Sequence, residues 1–198
     1  MKKQPAIPAA KIDFAALRAG GVDTIAVAFP DHCGRLVGKR IPTEFFEKTL
    51  GGEGLFHTCN YLLTVAMELE PLPGFALAGW ERGYGDFAIR PDPSSLKTTG
   101  WYPGGAVVVC NLLHQDGRPV EQSPRRVLER QVKACGERGL SLKVASELEF
   151  YLFRGSYDGI ARSKFRDMEP TTPYLIDYSI HGTSADEAFL HDVRSSMN

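Results

Sequence analysis

The stretch KVASELEFYLF, residues 143 to 153, sets two carboxylates two positions apart inside an apolar run. Alternation in an extended chain would line one face with Val144, Ser146, Leu148, Phe150 and Leu152 and the other with Lys143, Ala145, Glu147, Glu149 and Tyr151. The first face reads as core. The second presents a pair of like charges, which repel one another and are costly to bury unless a cation holds them. Oxygen donors at this spacing suit a hard divalent metal. They suit a solvated strand edge equally well, and the pair alone does not decide between the two.

Other chemistry is poorly represented. GYGDFA, residues 83 to 88, matches the glycine pattern of dinucleotide-phosphate loops but leads into a proline-containing, strand-like segment, where a phosphate site requires a helix N-terminus. There is no Walker-type loop and no Gly-x-Ser-x-Gly elbow. His32, His57, His114, His181 and His191 are scattered, and Cys33, Cys59, Cys110 and Cys135 show no zinc-type spacing. Glycosidase chemistry is disfavoured, because its two acids ordinarily come from separate elements flanking the sugar.

The elements that must position the carboxylate pair divide near residue 120. Residues 11 to 19 predict a short helix stopped at Gly20-Gly21, and residues 22 to 30 and 35 to 41 a strand pair around the DHCG turn. Residues 42 to 50 predict a helix, Leu62 to Leu69 is open between helix and strand, and residues 86 to 92 and 106 to 113 predict strands. HQDGRPV then makes a tight turn at Asp116-Gly117. Beyond it, Ser123 and Pro124 open a helix ending at Gly139, with Val127, Val132 and Cys135 expected on its buried stripe. Residues 155 to 184 read as loop, and ADEAFLHDVRSSMN as a helix without a stop signal, from which an incomplete second domain is expected.

Composition bounds the rest. The 198 residues are 43% hydrophobic with a formal net charge of −1, enough for a real core and without the basic footprint of a nucleic-acid or anionic-membrane binder. No window approaches the length of a membrane span, and the lysine-bearing start has no long apolar stretch behind it. An untargeted cytoplasmic protein is expected.

Four segments in order, YGDFAIRPDPSSL, WYPGGAVVVCNLL, DGRPVEQSPRRVLERQ and LKVASELEFYLF, resemble the glutamine synthetase family. The resemblance implies an α+β chain: a β-grasp N-terminal domain over residues 20 to 116, then the truncated first part of the catalytic α/β domain over residues 121 to 198. It also implies a ligase that uses ATP to join glutamate to ammonia or an amine through a γ-glutamyl phosphate, in a homo-oligomeric ring. By the family's Glu-x-Glu strand, Glu149 would serve the Mg²⁺ or Mn²⁺ near glutamate and the amine, and Glu147 the one near the ATP phosphates. Such cations neutralise charge in phosphoryl transfer.

Two departures qualify the implied activity. Ammonia-using members carry an Asp-Gly-Ser-Ser loop whose aspartate helps bind ammonium, whereas this chain has GLFHTCNYLL there, with Asn60 and no aspartate. An uncharged group attracts a cation less, so a γ-glutamyl-polyamine or other γ-glutamyl-amide synthetase is the alternative. The family's remaining metal ligands and most of its ATP and glutamate sites would lie past residue 198, which also leaves a non-catalytic structural relative as an alternative. A tyrosine lining the ammonium pocket matches either Tyr174 or Tyr178.

Overall fold

In the computed structural model, which describes residues 12–52, 55–173 and 176–197, the chain forms two compact units, residues 1–142 and 143–198. The first opens with helix α1 (Phe14–Ala19), whose Asp13 side chain accepts the Ala16 N–H at 2.8 Å and so satisfies one of the free donors of the first turn. Strands β1 (Thr24–Pro30) and β2 (Leu36–Pro42) follow as an antiparallel pair, and helix α2 (Thr43–Gly51) returns across them. Strands β3 (Phe56–Cys59), β4 (Asp86–Pro91), β5 (Lys97–Thr98) and β6 (Gly105–Leu113) complete a six-stranded mixed sheet. Its path is β2-β1-β6-β4-β3, with β1 and β6 parallel and β5 paired to β6. Mixed sheet and helices together make an α+β fold.

Residue alternation builds the core. Ile25, Val27 and Phe29 from β1 and Ala106, Val108, Cys110 and Leu112 from β6 are buried at every second position, as one packed face of a sheet requires. Helix α2 covers that layer with Phe46 and Leu50, and the Phe46 ring stacks on Phe56 at 5.5 Å and tilts against Phe14 at 6.1 Å. Burying one such side chain contributes about 1.5–3 kcal/mol relative to leaving it exposed. At the start of β6 only glycine fits: a Cβ at Gly105 would lie 1.8 Å from the Tyr102 ring. The segment left open between helix and strand resolves as a 3₁₀ turn (Asn60–Leu63) and a single bridge between Val65 and Pro71.

Helix α3 (Pro124–Glu137) begins where Ser123 and Pro124 predict. Its expected buried stripe is corrected: Val127 is 45% and Val132 48% exposed, Cys135 is half-buried, and no residue of the helix is buried. What anchors it is polar. Arg125 donates to Asn111 Oδ1 on β6 at 2.9 Å and to Asp92 after β4.

The second unit holds helices α4 (Tyr157–Arg162), α5 (Ile180–Ser184) and α6 (Glu187–Met197), the first two within the stretch read as loop. The strand expected over residues 143 to 153 does not form. Only Phe153 makes a bridge, to Pro170, with Thr171 N–H donating to Leu152 O at 3.0 Å and Arg154 N–H to Glu169 O at 2.8 Å. A strand exists by virtue of its ladder, and among the described residues nothing pairs with residues 143 to 151. The face expected to be core is consequently exposed, with Val144 and Leu148 at 80%.

Candidate functional site

Glu147 and Glu149 lie in this unpaired segment. Both side chains are exposed, and among the described residues neither has a hydrogen bond or ion pair. The desolvation argument for a resident cation therefore does not operate here, since water screens both charges. Their oxygen chemistry fits a hard divalent metal, but the donor number does not: among the described residues no three His, Cys, Asp or Glu side chains converge where an ion could sit. Two carboxylates would leave most of a six-oxygen shell to water or to other groups.

Around Asn60 the geometry is tighter. Its backbone N–H donates to Gly85 O at 2.9 Å, its Oδ1 accepts the Gly85 N–H at 3.3 Å, and its Nδ2 donates to Leu77 O at 3.4 Å. One carboxamide thus closes the base of the excursion from Thr64 to Tyr84, using both its donor and its acceptor end. Inside the excursion, Leu72 N–H donates to Thr64 O and Ala66 N–H to Glu70 O, both at 2.9 Å. From the β1–β2 turn the Arg35 guanidinium reaches the carbonyls of Ala66 and Met67.

Arg35 is held in turn by Asp31, whose buried carboxylate accepts the Arg35 Nε–H at 2.7 Å and the N–H groups of Cys33 and Arg35 at 2.9 Å each. Burial pushes this carboxyl up, but the Arg35 and Cys33 hydrogen bonds and the guanidinium charge outweigh it and keep the group below its ordinary value. Three rings gather on the excursion's exposed side: Trp80 meets Tyr84 edge-on at 5.5 Å, and Tyr84 meets Tyr61 edge-on at 6.1 Å. Sequence reasoning missed this cluster. Its signal was the Trp80-x-x-x-Tyr84 spacing, which reads as ordinary loop until Asn60 folds the segment back.

The remaining candidates do not assemble into a site. GYGDFA runs into strand β4, as expected, and not into a helix. His32 contacts Gln122 O at 3.1 Å, His114 packs edge-on against Phe87, and His191 lies near Ser195 Oγ at 3.4 Å. Tyr178 is 95% exposed, and Tyr174 lies outside the described residues. Burial pushes the Cys110 thiol up to about 12, which makes it a packing residue. No described helix is long and apolar enough to cross a membrane.

Comparison with known proteins gives this geometry a context. Residues 121–197 match the family model for the glutamine synthetase catalytic domain. The γ-glutamylethanolamide synthetase of Streptomyces coelicolor is 41% identical over 186 residues, which cover 92% of this chain and 39% of that protein. A glutamate–isopropylamine ligase from a Pseudomonas species is 29% identical over 176 residues, covering 89% of this chain and 38% of that one. A crystal structure of a glutamine synthase homolog superimposes with a TM-score of 0.59 over 88% of this chain and 38% of its own, at 17% identity, a likeness of fold alone. The chain spans about two fifths of the length of the two curated relatives.

Proposed function

Because the chain belongs to the glutamine synthetase family, we propose that, joined to the remainder its relatives carry, it acts as an ATP-dependent glutamate–amine ligase. The observation that carries this reading is the 41% identity to a γ-glutamylethanolamide synthetase, which extends over 92% of the chain and so includes both units. In the proposed reaction a γ-carboxylate oxygen of glutamate attacks the terminal phosphorus of ATP and ADP leaves. The amine nitrogen then attacks the γ-carbonyl carbon, phosphate leaves, and the nitrogen loses a proton.

Within this reading residues 20 to 116 form the family's β-grasp domain, supported by the mixed sheet with α2 packed on it, and residues 121 to 198 open its catalytic domain. Glu147 and Glu149 would each give one carboxylate to Mg²⁺ or Mn²⁺, which would neutralise charge on the transferring phosphoryl group. The complete protein would assemble as a homo-oligomeric ring in the cytoplasm.

An organic amine is the substrate we favour over ammonia. Asn60 is uncharged, and its amide is already occupied by Gly85 and Leu77, so it offers ammonium no carboxylate. The test is phosphate release from ATP by the complete polypeptide with glutamate and, in turn, ethanolamine, isopropylamine, putrescine and ammonia. Turnover with one of the carbon-bearing amines well above that with ammonia is expected, and ammonia as the sole competent substrate would overturn the preference. In the same assay Glu149→Gln should abolish turnover with the fold intact, whereas normal turnover would return that side chain to the solvated surface.

A further inference from the structure

We infer that the open half of the sheet face opposite α2 docks an extended acidic segment of a partner protein, whose carboxylates pair with Arg40 and Lys97 across a floor of small side chains. The inference stands apart from the ligase reading, and its failure would leave that reading untouched.

Strand register builds the groove. Arg40 pairs with Ala26 across β2 and β1, Ala26 with Val107 across β1 and β6, and Val107 with Lys97 across β6 and β5. Directly paired residues set their side chains on one face, so these four form a single row. Their neighbours Ile25 and Ala106, which point the other way, are fully buried, whereas Ala26 and Val107 are half-buried. Further along the same face Asn111 holds Arg125 of α3, and the other end is left as a groove of about 230 Å³ that Leu36 and Trp101 help to line. Gly38 keeps its floor low, since a Cβ there would lie 2.0 Å from Val27 O.

Charge and exposure define the occupant. The segments that build the groove, residues 24 to 30, 32 to 43 and 93 to 115, hold no acidic residue, in a chain with 24. Lys39, Arg40 and Lys97 are all exposed, and among the described residues none has an ion-pair partner. The Arg40 guanidinium lies 5.5 Å from the centre of the Tyr102 ring, which steadies it and leaves its charge in place. Leu36, 57% exposed, and Trp101, 69% exposed, add apolar area to the same groove. Such a surface favours a ligand that carries carboxylates and apolar side chains together.

Distance sets the pattern within that ligand. Three strand spacings, about 14 Å, separate Arg40 from Lys97. An extended chain covers this in about four residues, and its positions i, i+2 and i+4 share a face. Carboxylates at i and i+4 with an apolar residue at i+2 therefore match Arg40, the Ala26–Val107 floor and Lys97. Duplex DNA fits worse, because it carries a charge about every 1.7 Å of its axis and this row answers few of them.

The probe is a blocked peptide of three Glu-Thr-Val-Thr repeats, titrated into the complete polypeptide by calorimetry. Saturable binding is expected, weakening as salt rises from about 0.1 to 1 M and the Debye length falls from about 10 to 3 Å. Arg40→Glu and Lys97→Glu should each weaken it roughly fivefold. Lys48→Glu, the same change on an exposed position of α2, should leave it within about twofold. The double variant Arg40→Glu, Lys97→Glu should prefer a peptide with lysine in place of glutamate, an exchange that damage to the fold would not produce. Absence of saturable binding would overturn the inference, as would binding that survives both reversals together. Tighter binding of the lysine peptide, or of a single-stranded oligonucleotide, by the parent would overturn it equally.

Discussion

Asp31 shows how one side chain supports a loop 30 or more residues away: it fixes Arg35, and Arg35 holds the carbonyls of Ala66 and Met67. Its carboxyl is kept below the ordinary value, despite burial, by the Arg35 and Cys33 hydrogen bonds and the Arg35 charge. A depressed carboxylate contributes stability that is fully present above its unfolded value, about 3.9, and is lost as pH falls through the lower folded value. Urea unfolding of the parent should therefore show a loss of stability below about pH 4 that Asp31→Asn partly removes, since the amide has no charge to lose. At pH 7 the same substitution should cost about 1–3 kcal/mol, because it ends a charge-assisted bond and sets an amide donor against the Arg35 and Cys33 donors. An unchanged midpoint and an unchanged acid limb would show that the carboxylate is dispensable. None of this was visible in the sequence, where DHCGR reads only as a turn; the partners meet through the hairpin's closure.

At the scale of elements, the segments that could be read were those whose pattern and partners coincide. β1, β2, α2, β4 and β6 stand within a residue or two of their expected bounds, because alternation or punctuation was strong and the neighbouring strands lie in the same unit. Residues 143 to 153 alternate just as clearly, yet no strand forms: periodicity states which face would be buried and cannot supply the ladder. The stripe of α3 failed for a related reason, since among the described residues Val127 and Val132 stay about half exposed while Arg125 is held by Asn111 and Asp92. The contrast is measurable in thermal or urea unfolding. Ile89→Ala, at a fully buried β4 position paired with Phe56 and Leu112, should cost about 2–5 kcal/mol. Val144→Thr, at a site 80% exposed, should stay within about 0.5 kcal/mol. Equal costs at the two positions would mean that residues 143 to 153 are packed in solution.

For the molecule as a whole, the family was legible because four separate segments agreed in order, and a relative 41% identical over 92% of the chain agrees with it; the reaction class is the proposal built on that likeness. The carboxylate pair was legible as a motif but not as a centre, since a centre needs convergent donors and the described residues bring no third one to it. The aromatic cluster on the Asn60-stapled excursion was the reverse: unreadable as a motif, evident once folded. The proposed function is that of a ligase that activates glutamate on its γ-carboxylate, and oxygen tracing tests that step most directly. The complete polypeptide is supplied with glutamate labelled with oxygen-18 in the γ-carboxyl group, unlabelled ATP and an amine, and the released phosphate is analysed by mass. A γ-glutamyl phosphate requires that one labelled oxygen leave with each phosphate formed alongside the amide. Amide formation accompanied by unlabelled phosphate would contradict the account.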